Sequence, residues 1–293
     1  MSINKSCQLL GHARSTFFEV RKNRQIKLEK EKLLEQYVLG RVTEIRKEMP
    51  RLGGKKLYFL INQDVRRQQF KFGEQRFFEI LRKNNLLVKK RKKYTITTDS
   101  KLWRGQFDDL LKGVSITRPE QIWVADITYF RTQEGFIYGH LITDAYSKKL
   151  MGAVVAGDMK ATTTLLALKM ALKNRQNKEP LIHHSDRGFQ YLSKVYTNHL
   201  KKNKIKISVT QNGSPYDNPV AERINGILKD EFNLRSTLKN IQQAKQILEK
   251  AMHIYNEKRP HWSNHLLTPN QMHNQKDLEM ITWESESGNT PTG

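Results

Sequence analysis

The stretch WVADITY, residues 123–129, holds Asp126 inside an apolar run that extends from Ile122 to Phe130. Its β-branched and aromatic residues predict a strand that is buried in a sheet. A carboxylate in such a strand is unfavourable unless a partner compensates its charge, and a metal ion would do so. The alternative is an aspartate at a strand end that faces water.

Two further acids lie in distinctive segments. Asp186 lies in HHSDRGFQY, residues 183–191, directly after an apolar strand, and Glu222 lies in SPYDNPVAERINGILKDE, residues 214–231. Thirty-five residues separate these two acids. An Asx turn would explain Asp186, and the dipole of a helix that begins near Pro219 would explain Glu222. Neither acid is therefore specific when it is considered alone.

Taken together, the three acids predict phosphoryl-transfer chemistry. Cleavage and transfer of a phosphodiester need an activated attacking oxygen and a stabilised leaving oxygen, and two divalent ions about 3.5–4 Å apart provide both. Carboxylates suit Mg²⁺ or Mn²⁺ because these ions prefer oxygen ligands. We therefore expect two such ions at Asp126, Asp186 and Glu222.

The charge of the chain predicts a nucleic-acid partner. The 293 residues include 52 Lys and Arg against 29 Asp and Glu, a net charge of +23, which attracts polyanions. Residues 1–118 contain 29 basic and 12 acidic residues, whereas residues 119–293 contain 23 and 17. Basic runs can also be solvated surface, and this alternative applies to the run that we predict to contact DNA: Lys89, Lys90, Arg91, Lys92 and Lys93.

The single cysteine, Cys7, excludes an internal disulfide and a cysteine-based zinc finger. Apolar stretches such as residues 150–157 are too short to span a membrane, and the N-terminus lacks the apolar core of a signal peptide. We therefore expect a soluble protein of a reducing cytoplasm, associated with the nucleoid and not with a membrane.

The pattern of residues predicts four regions. Residues 1–88 form a basic helical region, 89–118 a basic linker, 119–275 an α/β core with a C-terminal helix, and 276–293 a polar tail. In the first region we expect short helices on either side of Gly11, with the second capped by Ser15 or Thr16, and further helices at residues 27–48, 55–62 and 74–84. A helix-turn-helix module would fit this pattern, and a plain helical bundle is the alternative.

In the core we expect a mixed sheet flanked by helices. Asn218 is predicted to cap the helix that begins at Pro219, because proline is favoured at the first helical position. On this helix Glu222, Asn225 and Lys229 lie opposite the buried stripe. A last helix is expected over residues 238–255.

These motifs resemble the integrase-core region of bacterial insertion-sequence transposases of the second-reading-frame (OrfB) type, which are related to retroviral integrases. The segments YGHLITDAYSKKLMGAVV (138–155) and YNEKRPHWSNHLLTP (255–269) carry the same likeness. The resemblance covers residues 1–275, because CQLLGHARST, RLGGKKLYFLI and RFFEILRKNNLL near the N-terminus also look like that family.

The resemblance implies a ribonuclease H-like fold in which the acids Asp126, Asp186 and Glu222 form a metal-binding catalytic triad. Lys229 matches a basic residue that holds DNA, and Arg187 beside the second acid is a further candidate for DNA contact. The implied reaction is metal-dependent nicking of double-stranded DNA at an element end, followed by attack of the freed 3′-hydroxyl on another phosphodiester. Bringing two ends together implies a homo-oligomer of at least two copies, and the working enzyme could be a frameshift fusion with an upstream product.

Other matches are assigned supporting roles. Asp144 matches an aspartate that the family usually follows with Ser-Arg, whereas this chain has Ser147 and Lys148. His184 is expected to pack in its strand, with DNA contact or orientation of Asp186 as the alternatives, and Asn218 is expected to shape the loop before Glu222, with DNA contact as a further alternative. Two alternatives stay open for the function, namely a nuclease of the ribonuclease H group and a DNA-binding protein with an inactive core.

Overall fold

The computed structural model of the protein describes residues 3–11, 13–67, 72–89, 107–211, 218–276 and 281–282. Contacts divide the chain into two compact units, one of Met1–Lys47 with Leu52–Lys90 and one of Glu48–Arg51 with Arg91–Gly293. Within the described ranges, no helix combines the length and the apolar character that a membrane span requires.

The N-terminal part is helical, as predicted. The helices are α1 (Ile3–Leu9), α2 (Arg14–Glu48), α3 (Gly54–Arg67) and α4 (Glu74–Lys83). The expectation of separate helices before and after residue 27 is wrong, because α2 is one helix of 35 residues. It begins at Arg14, before the predicted caps, since the chain has neither glycine nor proline between residues 14 and 39.

Apolar side chains from α2, α3 and α4 are buried in this first unit. They include Val38, Val42, Leu57, Ile61, Phe77 and Leu81. The Phe77 ring lies 5.6 Å from that of Tyr58 on α3 and 5.9 Å from that of Phe78, centroid to centroid. The helical periodicity of these positions is therefore explained by a small common core.

The second unit is built on a five-stranded sheet with the order β4-β3-β2-β5-β6. Its strands are β2 (Ile122–Thr132), β3 (Gly135–Asp144), β4 (Leu150–Ala156), β5 (Ile182–Ser185) and β6 (Lys206–Val209), while β1 (Ser115–Ile116) pairs separately with β7 (Ile281–Thr282). Strands β2, β3 and β4 are antiparallel neighbours, whereas β5 pairs in parallel with both β2 and β6. The mixed sheet predicted from the sequence is confirmed.

Helices cover both faces of this sheet. They are α5 (Ala161–Lys173), α6 (Phe189–Leu192), α7 (Lys194–Lys202), α8 (Pro219–Glu231), α9 (Ile241–Lys258) and α10 (Pro269–His273), with a 3-10 turn at Trp262–Asn264. Alternate residues of β2 supply the two cores, because Trp123 and Ala125 pack with residues of α5, α6 and α7, while Ile122 and Val124 pack with residues of α8 and α10. The predicted ribonuclease H-like architecture, a mixed sheet between helices, is confirmed.

Gly152 of β4 allows α5 to lie directly on the sheet. A Cβ atom at this position would stand 2.2 Å from the carbonyl oxygen of Ala167. Since that atom belongs to the helix backbone, any larger residue at 152 would push α5 away from β4.

The last long helix begins later than predicted. Asn240 caps α9, accepting a 3.0 Å hydrogen bond from the backbone N–H of Gln243. Leu238, the predicted first residue, instead forms a bridge with Thr132 at the end of β2 and is buried. Backbone pairing with the β2 edge therefore delays the helix by three residues.

Candidate active site

Asp126 and Asp186 are brought to one place by the parallel pairing of β2 with β5. The last pair in this ladder joins Val124 to His184. Asp126 and Asp186 each lie two residues beyond it, on neighbouring chain segments that run in the same direction. Register alone therefore sets the two carboxylates side by side.

Each of these aspartates is oriented by a backbone N–H group. The N–H of Ile127 donates to Oδ1 of Asp126 at 2.9 Å, and the N–H of Gly188 donates to Oδ1 of Asp186 at 2.9 Å. Gly188 has a further role, because a Cβ atom there would stand 2.9 Å from Oδ1 of Asp186. The glycine of the DRG segment thus leaves room for the carboxylate.

Glu222 reaches the same place from α8. It lies in the first turn of the helix, where its N–H bonds to the carbonyl of Asn218 at 3.2 Å. Val220 and Ala221 beside it pack in the core that contains Val124 of β2. The exposed side chain of Glu222 is therefore held next to the strand that carries Asp126.

The electrostatics show that Asp126 is influenced by the two other acids. The pKa of Asp126 is raised to about 7, chiefly by burial, then by the negative charge of Asp186 and to a smaller extent by that of Glu222. Hydrogen bonds from Ile127 and Asn225 oppose this rise. Burial also raises the pKa of Asp186, against the hydrogen bond from Gly188. At both aspartates the folded chain therefore disfavours the charged form of the carboxyl group.

Lys229 adds a positive charge near Asp126. It lies two turns after Glu222 on α8, and its Nζ stands 4.2 Å from the centre of the Tyr129 ring. Its pKa is lowered to about 8 by burial and by the charge of Arg235, while the negative charge of Asp126 opposes that shift. The ammonium group is therefore close to Asp126 and to an aromatic ring at once.

The three acids fit divalent cations. Among the described residues, no three His, Cys, Asp or Glu side chains converge closely enough to hold an ion unaided. Mg²⁺ does not require this, because it is usually held by one or two carboxylates together with water and substrate phosphates. A pair of hard oxygen ligands, Asp126 and Asp186 with Glu222 beside them, is the donor set that such an ion prefers.

Comparisons with known proteins agree with this geometry. An integrase core domain matches residues 116–215, and a second integrase core domain matches residues 203–269. The 31 kDa protein of insertion element IS600 from Shigella sonnei is 33% identical over 191 residues, which cover 64% of this chain and 70% of that protein. This chain belongs to the insertion-sequence transposases with an integrase core.

Two relatives named as transposases share parts of the chain. The transposase of insertion sequence IS629 from Shigella sonnei is 38% identical over 142 residues, 48% of each chain. InsF of IS3A from Escherichia coli K12 is 31% identical over 172 residues, 58% of this chain and 60% of InsF. This chain thus spans about half of the IS629 relative.

A solved structure is also similar. The catalytic core domain of HTLV-2 integrase, in complex with magnesium, has 21% identity and a TM-score of 0.44. The similarity covers 54% of this chain and 98% of that one.

Three other predicted site residues have defined contacts. His184 is fully buried, with Nδ1 2.8 Å from Oγ of Ser208, so it packs in the sheet. Arg187 donates from Nε to the carbonyl of Thr210 at 2.7 Å. Asn218 precedes α8 as predicted, but its side chain makes no capping hydrogen bond.

Asn218 instead links its loop to the strand that carries Asp126. Its Nδ2 donates to the carbonyl of Ala125 at 3.2 Å, beside Asp126. The parallel pairing of β2 with β5 ends at Val124, so the Ala125 carbonyl can accept from the approaching loop. The prediction of an Asn218 side-chain cap is wrong for this reason.

Asp144 lies in a separate buried network. Its Oδ2 accepts from the N–H of Glu120 at 2.6 Å, and its Oδ1 accepts from the N–H and the hydroxyl of Ser147 at 2.8 and 2.7 Å. His273 of α10 stands between the two acids, 3.4 Å from Glu120 and 3.8 Å from Asp144. The structure therefore associates Asp144 with α10 rather than with the triad.

Of the basic residues predicted to contact DNA at positions 89–93, the structure describes only Lys89. Lys89 is exposed. Lys90, Arg91, Lys92 and Lys93 lie outside the described residues. Their contact with DNA stays a prediction.

Two contacts made by residues of α8 were not predicted from the sequence. Asn225 is buried, and its Nδ2 donates to Oδ2 of Asp126 at 2.5 Å. Arg259 is also buried and forms a double hydrogen bond with Glu231, the last residue of α8, at 2.7 and 2.8 Å. The signal for Asn225 was its position one turn after Glu222, and that for Arg259 was its place in the C-terminal motif.

Proposed function

We propose that the protein is a DDE transposase that cleaves DNA strands and transfers them in a metal-dependent reaction. The observation that supports this proposal is the placement of Asp126 beside Asp186, with Glu222 next to the same strand, and the pKa of Asp126 is raised chiefly by burial and further by the charges of these two acids. Membership in the insertion-sequence transposase family supports the same reaction class.

Asp126, Asp186 and Glu222 would hold Mg²⁺ or Mn²⁺, as two ions when DNA is present. The chemistry available from such ions is activation of an attacking oxygen and stabilisation of a leaving oxygen. Asn225 and the N–H of Ile127 fix the Asp126 carboxylate, and the N–H of Gly188 fixes that of Asp186. Preorganised carboxylates of this kind are what precise positioning of a phosphodiester requires.

Two reactions would use this one site. In the first, water attacks the phosphodiester at an element end and the bond to the 3′ oxygen breaks, which frees a 3′-hydroxyl. In the second, that hydroxyl attacks a target phosphodiester, a new P–O bond forms and the target strand leaves with its own 3′-hydroxyl. Neither reaction needs a covalent protein intermediate, so no serine or tyrosine nucleophile is assigned.

The partners follow from the charge and from the reaction. Lys229, near Asp126, and Arg187, beside Asp186, would contact DNA phosphates. The basic excess of residues 1–118 would bind the duplex outside the cleavage point in a salt-sensitive manner. Joining two ends requires at least two copies on the DNA, and a fusion with an upstream product is compatible with this arrangement. Action on chromosomal DNA would place the protein in the cytoplasm at the nucleoid.

The test uses the purified protein with Mg²⁺ or Mn²⁺ and duplexes that carry the DNA ends flanking its gene. Wild type is compared with Asp186→Asn and Glu222→Gln for joining of 3′ ends to a target duplex. We expect joined products from wild type and none from either variant. Hydrolysis without joining would instead identify a nuclease, and DNA binding without chemistry in either metal would identify a binding protein with an inactive core.

A further inference from the structure

Two large aromatic side chains are exposed on the β2–β3 hairpin. Tyr129 is 52% exposed and Phe136 is 58% exposed. Their ring centres are 5.7 Å apart and their planes are nearly perpendicular, at 89°. We refer to this pair as the aromatic platform.

The register of the hairpin sets the surroundings of the platform. Tyr129 opposes Tyr138, and Phe136 opposes Arg131. Opposed residues share a face of a sheet, as do residues two apart on a strand, so all four side chains lie on one face. Arg131 is exposed as well. The face therefore combines aromatic rings with a guanidinium group.

Tyr129 of the platform lies on the strand that carries Asp126. Tyr129 follows Asp126 by three residues on one strand, about 10 Å at the usual rise of a β-strand, and this odd spacing turns the two side chains to opposite faces. Lys229, on the helix that carries Glu222, connects the two places, because it stands 4.2 Å from the centre of the Tyr129 ring and also interacts with the charge of Asp126.

Phe136 has a ring face that is available to a ligand. In a perpendicular pair, one ring presents its edge to the face of the other. Whichever ring presents the edge, Tyr129 can cover at most one face of Phe136, and the high exposure of Phe136 shows that most of the ring meets solvent. Tyr129 for its part has Lys229 over its ring.

We propose that the aromatic platform stacks an unpaired DNA base beside the cleavage point, with Lys229 and Arg131 near the flanking phosphates. This inference rests on the proposed function and adds to it the form of the substrate, an end whose terminal bases are not paired. Sites for single-stranded DNA combine aromatic rings with cations in this way. A base within a duplex has no free face, whereas a base at an end or overhang unstacks at low cost.

The experiment compares the binding of two duplexes with the flanking ends, one blunt and one with a three-nucleotide overhang at the cleavage point. Dissociation constants are measured by fluorescence anisotropy without divalent metal, and 2-aminopurine in the overhang reports stacking. Wild type should bind the overhang roughly tenfold more tightly than the blunt end, the size expected for one stacked base. It should also quench 2-aminopurine.

Phe136→Leu keeps an apolar side chain but removes the ring, so it should abolish both the preference and the quenching while leaving binding of the blunt duplex unchanged. Phe136→Trp should retain both effects, which separates stacking from folding. Trp262→Leu is the matched control, because Trp262 is also an exposed aromatic residue, at 48%, but lies in the 3-10 turn.

Several outcomes would overturn the platform. One is that wild type shows no preference for the overhang, and another is that Phe136→Leu binds both duplexes more weakly by the same factor. A third is that Phe136→Leu changes the oligomeric state without a change in base preference, which would indicate a protein contact instead. The binding assay needs no chemistry. If the overhang preference is absent while strands are still joined, the platform is contradicted and the proposed function is not. If the overhang is preferred but no strands are joined, only the proposed function is contradicted.

Discussion

Asn225 and Asp126 are joined by a hydrogen bond of 2.5 Å from Nδ2 to Oδ2. The bond connects α8, one turn after Glu222, to the middle of β2. It therefore fixes the carboxylate of the strand and the position of the helix at once. Partners of this kind, which hold a ligand without contacting the ion, are often worth as much as a ligand itself.

Asn225→Leu should lower the rate of strand joining by roughly 10- to 100-fold, because the Asp126 carboxylate loses its donor. Initial rates of joining with Mg²⁺ measure the effect. Asn198→Leu is the control, since Asn198 is exposed on α7. Equal rates in Asn225→Leu and wild type would show that the bond does not orient the carboxylate during the reaction.

The raised pKa of Asp126 predicts how stability depends on pH without metal. Its pKa is about 7 in the folded chain and about 3.9 in an unfolded one, so the folded state binds more protons between these values. The contribution of Asp126 to the free energy of unfolding should therefore fall as the pH rises from about 4 to about 7. Asp126→Asn should be more stable than wild type above pH 7, by on the order of 1–2 kcal/mol given the partial exposure of the carboxylate.

Thermal unfolding of both proteins in a chelator, at pH 5 and pH 8, tests this. The difference in Tm between variant and wild type should be larger at pH 8. A difference that stays constant across this range would mean that Asp126 titrates at its ordinary pKa in the folded protein.

Divalent metal should reverse that destabilisation. Mg²⁺ or Mn²⁺ competes with the proton for Asp126, so binding should release protons near neutral pH and weaken by up to about tenfold per pH unit below pH 7. Isothermal titration calorimetry in two buffers of different ionisation enthalpy measures the released protons. Metal binding to Asp126→Asn should release fewer protons, and identical proton release from the two proteins would contradict the assignment.

Gly188→Ala should reduce joining by roughly 10- to 100-fold with little change in Tm. The added methyl group would stand 2.2 Å from Nε2 of Gln190 and 2.9 Å from Oδ1 of Asp186, so both side chains must shift, and misplacement of the carboxylate by about 1 Å is enough for such a loss. Gly157→Ala is a matched control, because nothing lies within 4 Å of the Cβ position there. Full activity of Gly188→Ala would mean that the carboxylate tolerates this shift.

Arg259→Ala should destabilise the second unit by about 3–5 kcal/mol, because it leaves Glu231 with a charge that lacks its partner. Urea unfolding gives the value. Arg259→Lys keeps the charge but cannot reproduce the double hydrogen bond, so it should also be destabilised, though less. Arg259→Met with Glu231→Leu should recover part of the loss. If the double variant is as unstable as Arg259→Ala, the pair is not the cause.

The strands of the core could be predicted from the sequence, and so could the positions of Asp126 within one strand and of Asp186 directly after another. Asp126 in an apolar run and Asp186 after one were identifiable because burial of a carboxylate is unusual and strand ends are well marked. The helix that carries Glu222 was found from the proline at its first position and its buried stripe.

The remaining differences arise from contacts between segments that are distant in the chain. Asn218 has the residue type of a helix cap but bonds to the Ala125 carbonyl, and Leu238 has helical periodicity but pairs with Thr132. Asn225 was placed on the polar face of its helix, whereas Asp126 draws it into the interior. Each time a tertiary partner competed with the local preference, and no spacing within one segment reveals that partner.

The contact of Asn256 with β4 has a consequence for how the protein behaves in solution. β4 is the outer strand of the sheet, and the side-chain amide of Asn256 bonds both to the N–H and to the carbonyl of Leu150, at 2.9 and 3.0 Å. An asparagine side chain thereby imitates one residue of a further strand. It occupies the point at which another chain could begin to add itself to the sheet, so α9 also protects the protein against aggregation through this edge.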